Sequence, residues 1–279
     1  MKTLPKPFFT FSQVMSACID GTDDDGLADR LRGIEASLAA TAATYDARGA
    51  AQSLYLFQQV LSVGSVTKAE LDSLYATHLS ATRGNARRYY NLLRSASSTC
   101  PLCSIGTVTV LDHHLPKSKY PDLAVLPNNL VPACDFCNNA KKAKFPSSAE
   151  EQTFHPYYDD FTREQWISAT LNTQGIPALQ FHPSPPAHWD DILKRRVARH
   201  FSVVNLGHSY TTNAAHDLTL TRDYLVGLHT AHGFPAVRSF LQEEAQRYSV
   251  RVNSWQYVTY KTLSLDEWFI NGGFYNIPC

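Results

Sequence analysis

Cys100-Pro-Leu-Cys103 and, thirty residues further on, Cys134-Asp-Phe-Cys137 with Asn138-Asn139-Ala140-Lys141-Lys142 behind it decide how the centre of this chain is read. A Cys-x-x-Cys pair turns the backbone so that both sulfurs can face one ion at ~2.3 Å. Two such pairs supply the four ligands of a tetrahedral structural zinc site. Disulfides would use the same residues but suit an oxidising compartment. Pro5, Pro7 and scattered polar residues interrupt any signal-peptide core near the start, so a soluble, unexported, cytoplasmic protein is expected. A redox Cys-x-x-Cys would need no second copy. Structural Zn2+ on Cys100, Cys103, Cys134 and Cys137 is the expectation, with Cys18 and Cys279 as ordinary thiols.

Between the pairs lie Val110-Leu111-Asp112-His113-His114-Leu115-Pro116-Lys117 and Asn128-Asn129-Leu130-Val131-Pro132. Hydrolysis of a phosphodiester needs a base to deprotonate water and a cation to neutralise the phosphorane and the leaving oxygen. Asp112 offers a hard oxygen to a magnesium-like ion, and His113 adjoins it. Neighbours on a strand point to opposite sides, so the strand must twist or end here if both are to reach one phosphate. Pro116 is consistent with an ending. Asn138 follows a zinc ligand at the start of a predicted helix, where zinc would fix the backbone that presents it.

The order of these elements resembles that of the HNH endonucleases: C-x-x-C, a strand ending in D-H-x-x-P, an N-L in the next loop, then C-x-x-C-N-x-x-K opening a helix. The resemblance covers about residues 98–145, roughly a sixth of the chain. It implies a ββα-metal fold on a treble-clef zinc frame and metal-dependent cleavage of DNA. Mapped by position, it implies that Asp112 and Asn138 hold one Mg2+ or Mn2+ and that His113 takes the proton from the attacking water. Asn129 would orient His113, Lys141 would bring positive charge to the phosphate, and the products would be a 5′-phosphate and a 3′-hydroxyl. His114 is assigned to packing or to a DNA contact. The N-L pair favours Asn129 over Asn128, and adjacency to Cys137 favours Asn138 over Asn139. By analogy the resemblance extends to phage defence or restriction, with an ATPase or another defence-system protein as partner. A non-catalytic zinc module binding nucleic acid or protein, and an RNA-directed nuclease, are the alternatives.

Charge supports an anionic partner locally. The whole chain has 25 Lys/Arg and 25 Asp/Glu, which alone argues against a strongly basic nucleic-acid binder. Residues 80–145, however, hold nine bases and three acids, an excess of six between two mildly acidic flanks. Four thiolates around one Zn2+ would lower that excess to about four. Such a segment suits either an anionic partner or a solvated basic helix face. Arg87, Arg88, Lys117, Lys119 and Lys142 are the candidate nucleic-acid contacts.

The remainder reads as mostly helical α+β: a helical region over 1–97, the zinc module over 98–147, and a mainly helical region with a small hairpin over 148–279. Helices are expected over 9–18, 27–46, 50–61, from a Thr67-Lys68-Ala69-Glu70 capping box to 78, and over 85–96. In the last region they are expected over 188–201, 218–229 and 235–248, after a hairpin around Gly175-Ile176-Pro177. Phe154-His155-Pro156-Tyr157-Tyr158 reads as aromatic packing against the module rather than as part of a binding groove. His229 and His232 read as a helix-end pair, and Lys194, Arg195, Arg196 and Arg199 as a phosphate grip or a solvated face balanced by Asp190 and Asp191. No run approaches the length of a membrane span, so no membrane partner is expected.

Overall fold

Helix α1 (Phe11–Ile19) starts at Thr10, whose hydroxyl accepts from Gln13 N while the Gln13 side chain accepts from Thr10 N. Each satisfies an amide that a helix start leaves unpaired. In α2 (Asp25–Ala50), Asp24 caps Leu27 N, and Ala28, Leu31, Ile34, Leu38 and Tyr45 form the buried stripe. Gly49 near its end lets the Tyr158 ring approach so closely that a Cβ would stand 2.6 Å from it. This computed structural model describes residues 1–278; Cys279 lies outside the described residues.

The helix expected over 50–61 does not form. α2 runs on to Ala50, Gln52 takes a positive φ of 53°, and only a 3-10 turn, Leu54–Leu56, follows. The Gln152 side chain holds this stretch instead, accepting from Tyr55 N and donating to the Gln52 carbonyl. A distant side chain satisfies the backbone that a helix would have paired internally. A two-residue ribbon of β1 (Ser62–Val63) and β2 (Val66–Thr67) leads to α3 (Lys68–Ser73). Thr67 and Glu70 form the expected capping box there, at 3.4 and 2.8 Å. The chain then widens into a π-helix over Leu74–Leu79 before α4 (Arg87–Ser95).

Strand β3 (Val110–His113) pairs antiparallel with β4 (Leu130–Ala133), placing Asp112 opposite Val131 and His113 opposite Leu130. Helix α5 (Asp135–Lys141) follows at once and packs on β3, and α4 packs on both strands. Leu111, Leu115, Leu123, Leu126 and Leu130 join the core formed by α1, α2 and α3. Each fully buried aliphatic side chain contributes about 1.5–3 kcal/mol. The order β3–β4–α5 therefore sits on a scaffold built by the preceding helices, and residues 2–160 form one compact unit.

Residues 161–278 form a second unit. A hairpin of β5 (Ile167–Asn172) and β6 (Ala178–Pro183) carries Gly175, at φ 82°, in its turn. Five helices follow: α6 (Asp191–Val203), α7 (Leu206–His232), α8 (Phe234–Tyr248), α9 (Trp255–Ser264) and α10 (Glu267–Ile270). α7 begins twelve residues earlier than the helix expected from Leu218, because Tyr210 and Ala214 continue its buried stripe towards the N-terminus. The Asn253 side chain ties the unit together, accepting from Trp166 N and Ile167 N and donating to the carbonyls of Phe161 and Glu164. Over the described residues the fold is thus mostly helical, with three two-stranded antiparallel sheets. Among the described residues no helix is long and apolar enough to cross a membrane.

Candidate functional site

The four cysteines come together as their spacing requires. The sulfurs of Cys100, Cys103, Cys134 and Cys137 all lie within 4.8 Å of one another, and all four residues are buried. The first pair sits on a tight knuckle in which Ser104 N donates to the Cys100 carbonyl, Cys100 N donates to the Gly106 carbonyl, and Ser104 adopts φ 61°. Gly106 touches the cluster directly. Its amide points at Cys103 Sγ at 3.5 Å, and a Cβ there would stand 2.7 Å from Cys134 Sγ. The second pair opens α5. Hydrogen bonding among the sulfurs, chiefly with Cys100, holds Cys134 down to about 7 and Cys103 lower still, and the same sharing raises Cys100 and Cys137. Four buried soft donors this close together suit zinc.

The cage anchors an adjoining cleft of about 320 Å³. Asp112, His113, Asn138, Lys117 and Lys142 all line it. Asp112 and His113 come from the last two residues of β3, where the strand stops, and Asn138 comes from the turn of α5 that Cys137 holds. His113 is buried, and its Nε2 lies 2.9 Å from the Ala124 carbonyl. A carbonyl only accepts, so Nε2 carries the proton and Nδ1 keeps the lone pair. Burial pushes the ring's pKa down to about 3, against the opposing pull of the Ala124 carbonyl, so His113 is neutral at pH 7. The Tyr75 ring meets the His113 ring edge-on, with centroids 4.5 Å apart. Tyr75 arrives on the π-helix, whose extra residue per turn shifts the side-chain phase away from anything helical periodicity in the sequence reveals.

Lys141 stands behind the cleft. Its ammonium lies 3.0 and 3.2 Å from the two oxygens of Asp112 and donates to the His113 carbonyl at 2.6 Å. Both side chains of the pair are about 5% exposed. Lys141 therefore holds the strand end and the carboxylate, while its neighbour Lys142 lines the cleft. Burial raises Asp112 above the usual carboxylate range, and Lys141 opposes that shift.

Asn129 is fully buried and clamps the loop between the strands. Its Oδ1 accepts from Leu115 N and the Tyr45 hydroxyl, and its Nδ2 donates to the carbonyls of Leu115 and Leu123. It does not touch the His113 ring, but it binds the carbonyl of Leu123, the residue before the Ala124 whose own carbonyl does. His114, just past the end of β3, does not line the cleft; its ring lies 4.2 Å from that of His155. Having donated to Asn129, the Tyr45 hydroxyl receives from His155 Nε2 at 3.1 Å, and His155 Nδ1 then accepts from Tyr157 N. His155 and Tyr157, buried, and Tyr158, half-buried, thus pack as an aromatic cluster with Tyr45. Asn128 binds Asp46 instead.

The other candidate contacts are dispersed. Lys117 lines the cleft and lies 3.7 Å from Asp72, while Lys119 is exposed beyond it. Arg87 stacks on Tyr90 and donates to the Ser80 carbonyl. Arg88 stacks on Tyr89 and lines a separate groove of about 920 Å³ with Arg94, Ser98 and Thr107. Sequence reasoning missed Tyr75, Tyr45 and Gly106. Only Gly106, three residues after the first cysteine pair, carries a local signal.

Comparison with known proteins adds one relative. The chain is 29% identical over 295 residues to "Protein ea31" of Escherichia phage lambda, covering 98% of this chain and 100% of that protein. No family model matches the chain, and no solved structure matches it significantly.

Proposed function

We propose that this protein is a metal-dependent endonuclease of the HNH type that hydrolyses DNA phosphodiester bonds, with a structural zinc ion held by Cys100, Cys103, Cys134 and Cys137. The observation that carries this reading is the convergence of Asp112, His113 and Asn138 on one cleft beside the cysteine cage. The Asp112 carboxylate and the Asn138 amide oxygen are hard donors suited to Mg2+ or Mn2+. Such an ion supplies charge neutralisation at the phosphate and at the leaving 3′ oxygen. His113 Nδ1 takes a proton from water as the water oxygen bonds to phosphorus. The bond from phosphorus to the 3′ oxygen breaks, a solvent proton goes to that oxygen, and a 5′-phosphate and a 3′-hydroxyl result. A ring with a pKa of about 3 is a weak base in the free protein; a phosphate anion placed beside it raises its proton affinity. Asn129 and the Ala124 carbonyl keep the ring oriented, in the manner of supporting groups at metal sites. Action in phage defence or restriction with an ATPase partner belongs to the same proposal and rests on the resemblance alone.

The Asp112–Lys141 pair favours a second reading. An ammonium already bound to both carboxylate oxygens is what a purely structural ion pair looks like, and the module would then be a non-catalytic zinc platform for nucleic acid or protein. Cleavage of supercoiled plasmid with Mg2+, run beside an RNA substrate, separates the readings. Wild type nicks or linearises the plasmid and His113→Ala does not. Equal rates for the two proteins would sink the assignment of His113.

A further inference from the structure

The end of α5 carries a conformational anomaly. Lys144 N donates to the Lys141 carbonyl at 3.1 Å, closing a four-residue turn in which Lys142 occupies the second position. Lys142 has φ 53° and ψ −137°, the geometry of the first central residue of a type II′ turn. That position belongs to glycine, because a Cβ there crowds the backbone. This is therefore a strained residue on the rim of the candidate site, and strain of this kind persists only where the surrounding structure enforces it.

The side chain is the second observation. Lys142 is exposed and lines the cleft with Asp112, His113 and Asn138. Its two lysine neighbours are committed: Lys141 to Asp112 and the His113 carbonyl, Lys144 to the Ala140 carbonyl. Lys117, the other cleft lysine, lies near Asp72. The Lys142 ammonium makes no ion pair or hydrogen bond among the described residues. A glycine would relax the turn and leave the cleft without its one uncommitted lysine.

We propose that Lys142 binds a backbone phosphate of the nucleic-acid strand in the cleft, and that the strained turn is retained because it aims this ammonium there. The placement at the scissile phosphate rests on the nuclease reading; the phosphate contact does not. Relaxing the turn should raise stability while removing function, the reverse of what damage to the fold would do. The test compares wild type, Lys142→Gly and Lys142→Arg as full-length, zinc-loaded proteins. Binding of a short DNA duplex is followed by fluorescence anisotropy across a salt series without added divalent cation, alongside thermal melting and plasmid cleavage with Mg2+.

Lys142→Gly should melt about 2–4 °C higher. It should lose about 0.9 from the slope of log affinity against log salt, the signature of one lost phosphate contact, and cleave at least tenfold more slowly. Lys142→Arg should keep the slope, because it keeps the charge in the strained turn. An unchanged slope in Lys142→Gly, or a lower melting temperature, overturns the inference. If wild type and Lys142→Arg show the steeper slope yet neither cleaves DNA, the nuclease reading fails and the phosphate contact stands.

Discussion

Replacing Lys141 with Met tests whether the buried pair organises the site. The ammonium lies 3.0 Å from Asp112 with both side chains about 5% exposed. At an effective dielectric of about 20 this separation corresponds to roughly 5.5 kcal/mol of attraction. The desolvation of both ions offsets much of that sum, so the pair itself contributes little net stability. Removing one partner is different. Lys141→Met leaves the Asp112 carboxylate buried without a counter-charge and removes the donor at the His113 carbonyl, at a cost of about 3–5 kcal/mol. Changing both partners, in Asp112→Asn with Lys141→Met, removes the orphaned charge and should recover at least half of the loss.

Hydrogen exchange of peptides spanning residues 110–141 reads this locally. The four tryptophans, Trp166, Trp189, Trp255 and Trp268, all lie in the second unit, so their fluorescence serves as an internal control. Expected are faster exchange across β3, β4 and α5 and an unchanged tryptophan transition. Protection within about 1 kcal/mol of wild type in Lys141→Met, or no recovery in the double variant, would show that Asp112 does not depend on this lysine.

Two further outcomes follow from buried groups. Burial pushes Asp122 up to about 6, and its Oδ1 is without a hydrogen-bond partner. A raised carboxyl pKa means that the folded protein holds the proton more tightly than the unfolded chain, so stability falls as pH rises from about 4 to about 6. Asp122→Asn should remove that slope and stabilise the first unit by about 2–3 kcal/mol at pH 7, with no gain below pH 4. Denaturation midpoints that shift equally at both pH values refute this. Separately, one zinc per chain should be released when the thiols are titrated with a mercurial. Gly106→Ala should weaken zinc retention against a chelator at least tenfold, because the added methyl would lie 2.7 Å from Cys134 Sγ. Wild-type retention would show that the knuckle can yield.

Local chemistry made much of this protein legible in its sequence. A Cys-x-x-Cys pair imposes its own turn, so the four-cysteine cluster and the residue that follows it could be located without knowing the fold. The Thr67–Glu70 capping box and the Gly175 turn are equally local, and both formed as expected. The charge excess was legible too, as a property of residues 80–145 rather than of the whole chain. What tertiary structure decided was which of two adjacent, chemically similar residues took which role. From the sequence, Lys141 is expected to bring charge to the phosphate and Lys142 to be one of several nucleic-acid contacts. A helix turns by about 100° per residue, and a II′ turn follows this one, so one lysine is buried on Asp112 and the other faces the cleft. The same holds for His113 and His114: the first ring meets Tyr75 and the Ala124 carbonyl, the second meets His155. Tyr75 and Tyr45 reach the site from far along the chain, through a π-helix and a long helix. No local pattern encodes such contacts, because they exist only once the separate apolar faces have found one another.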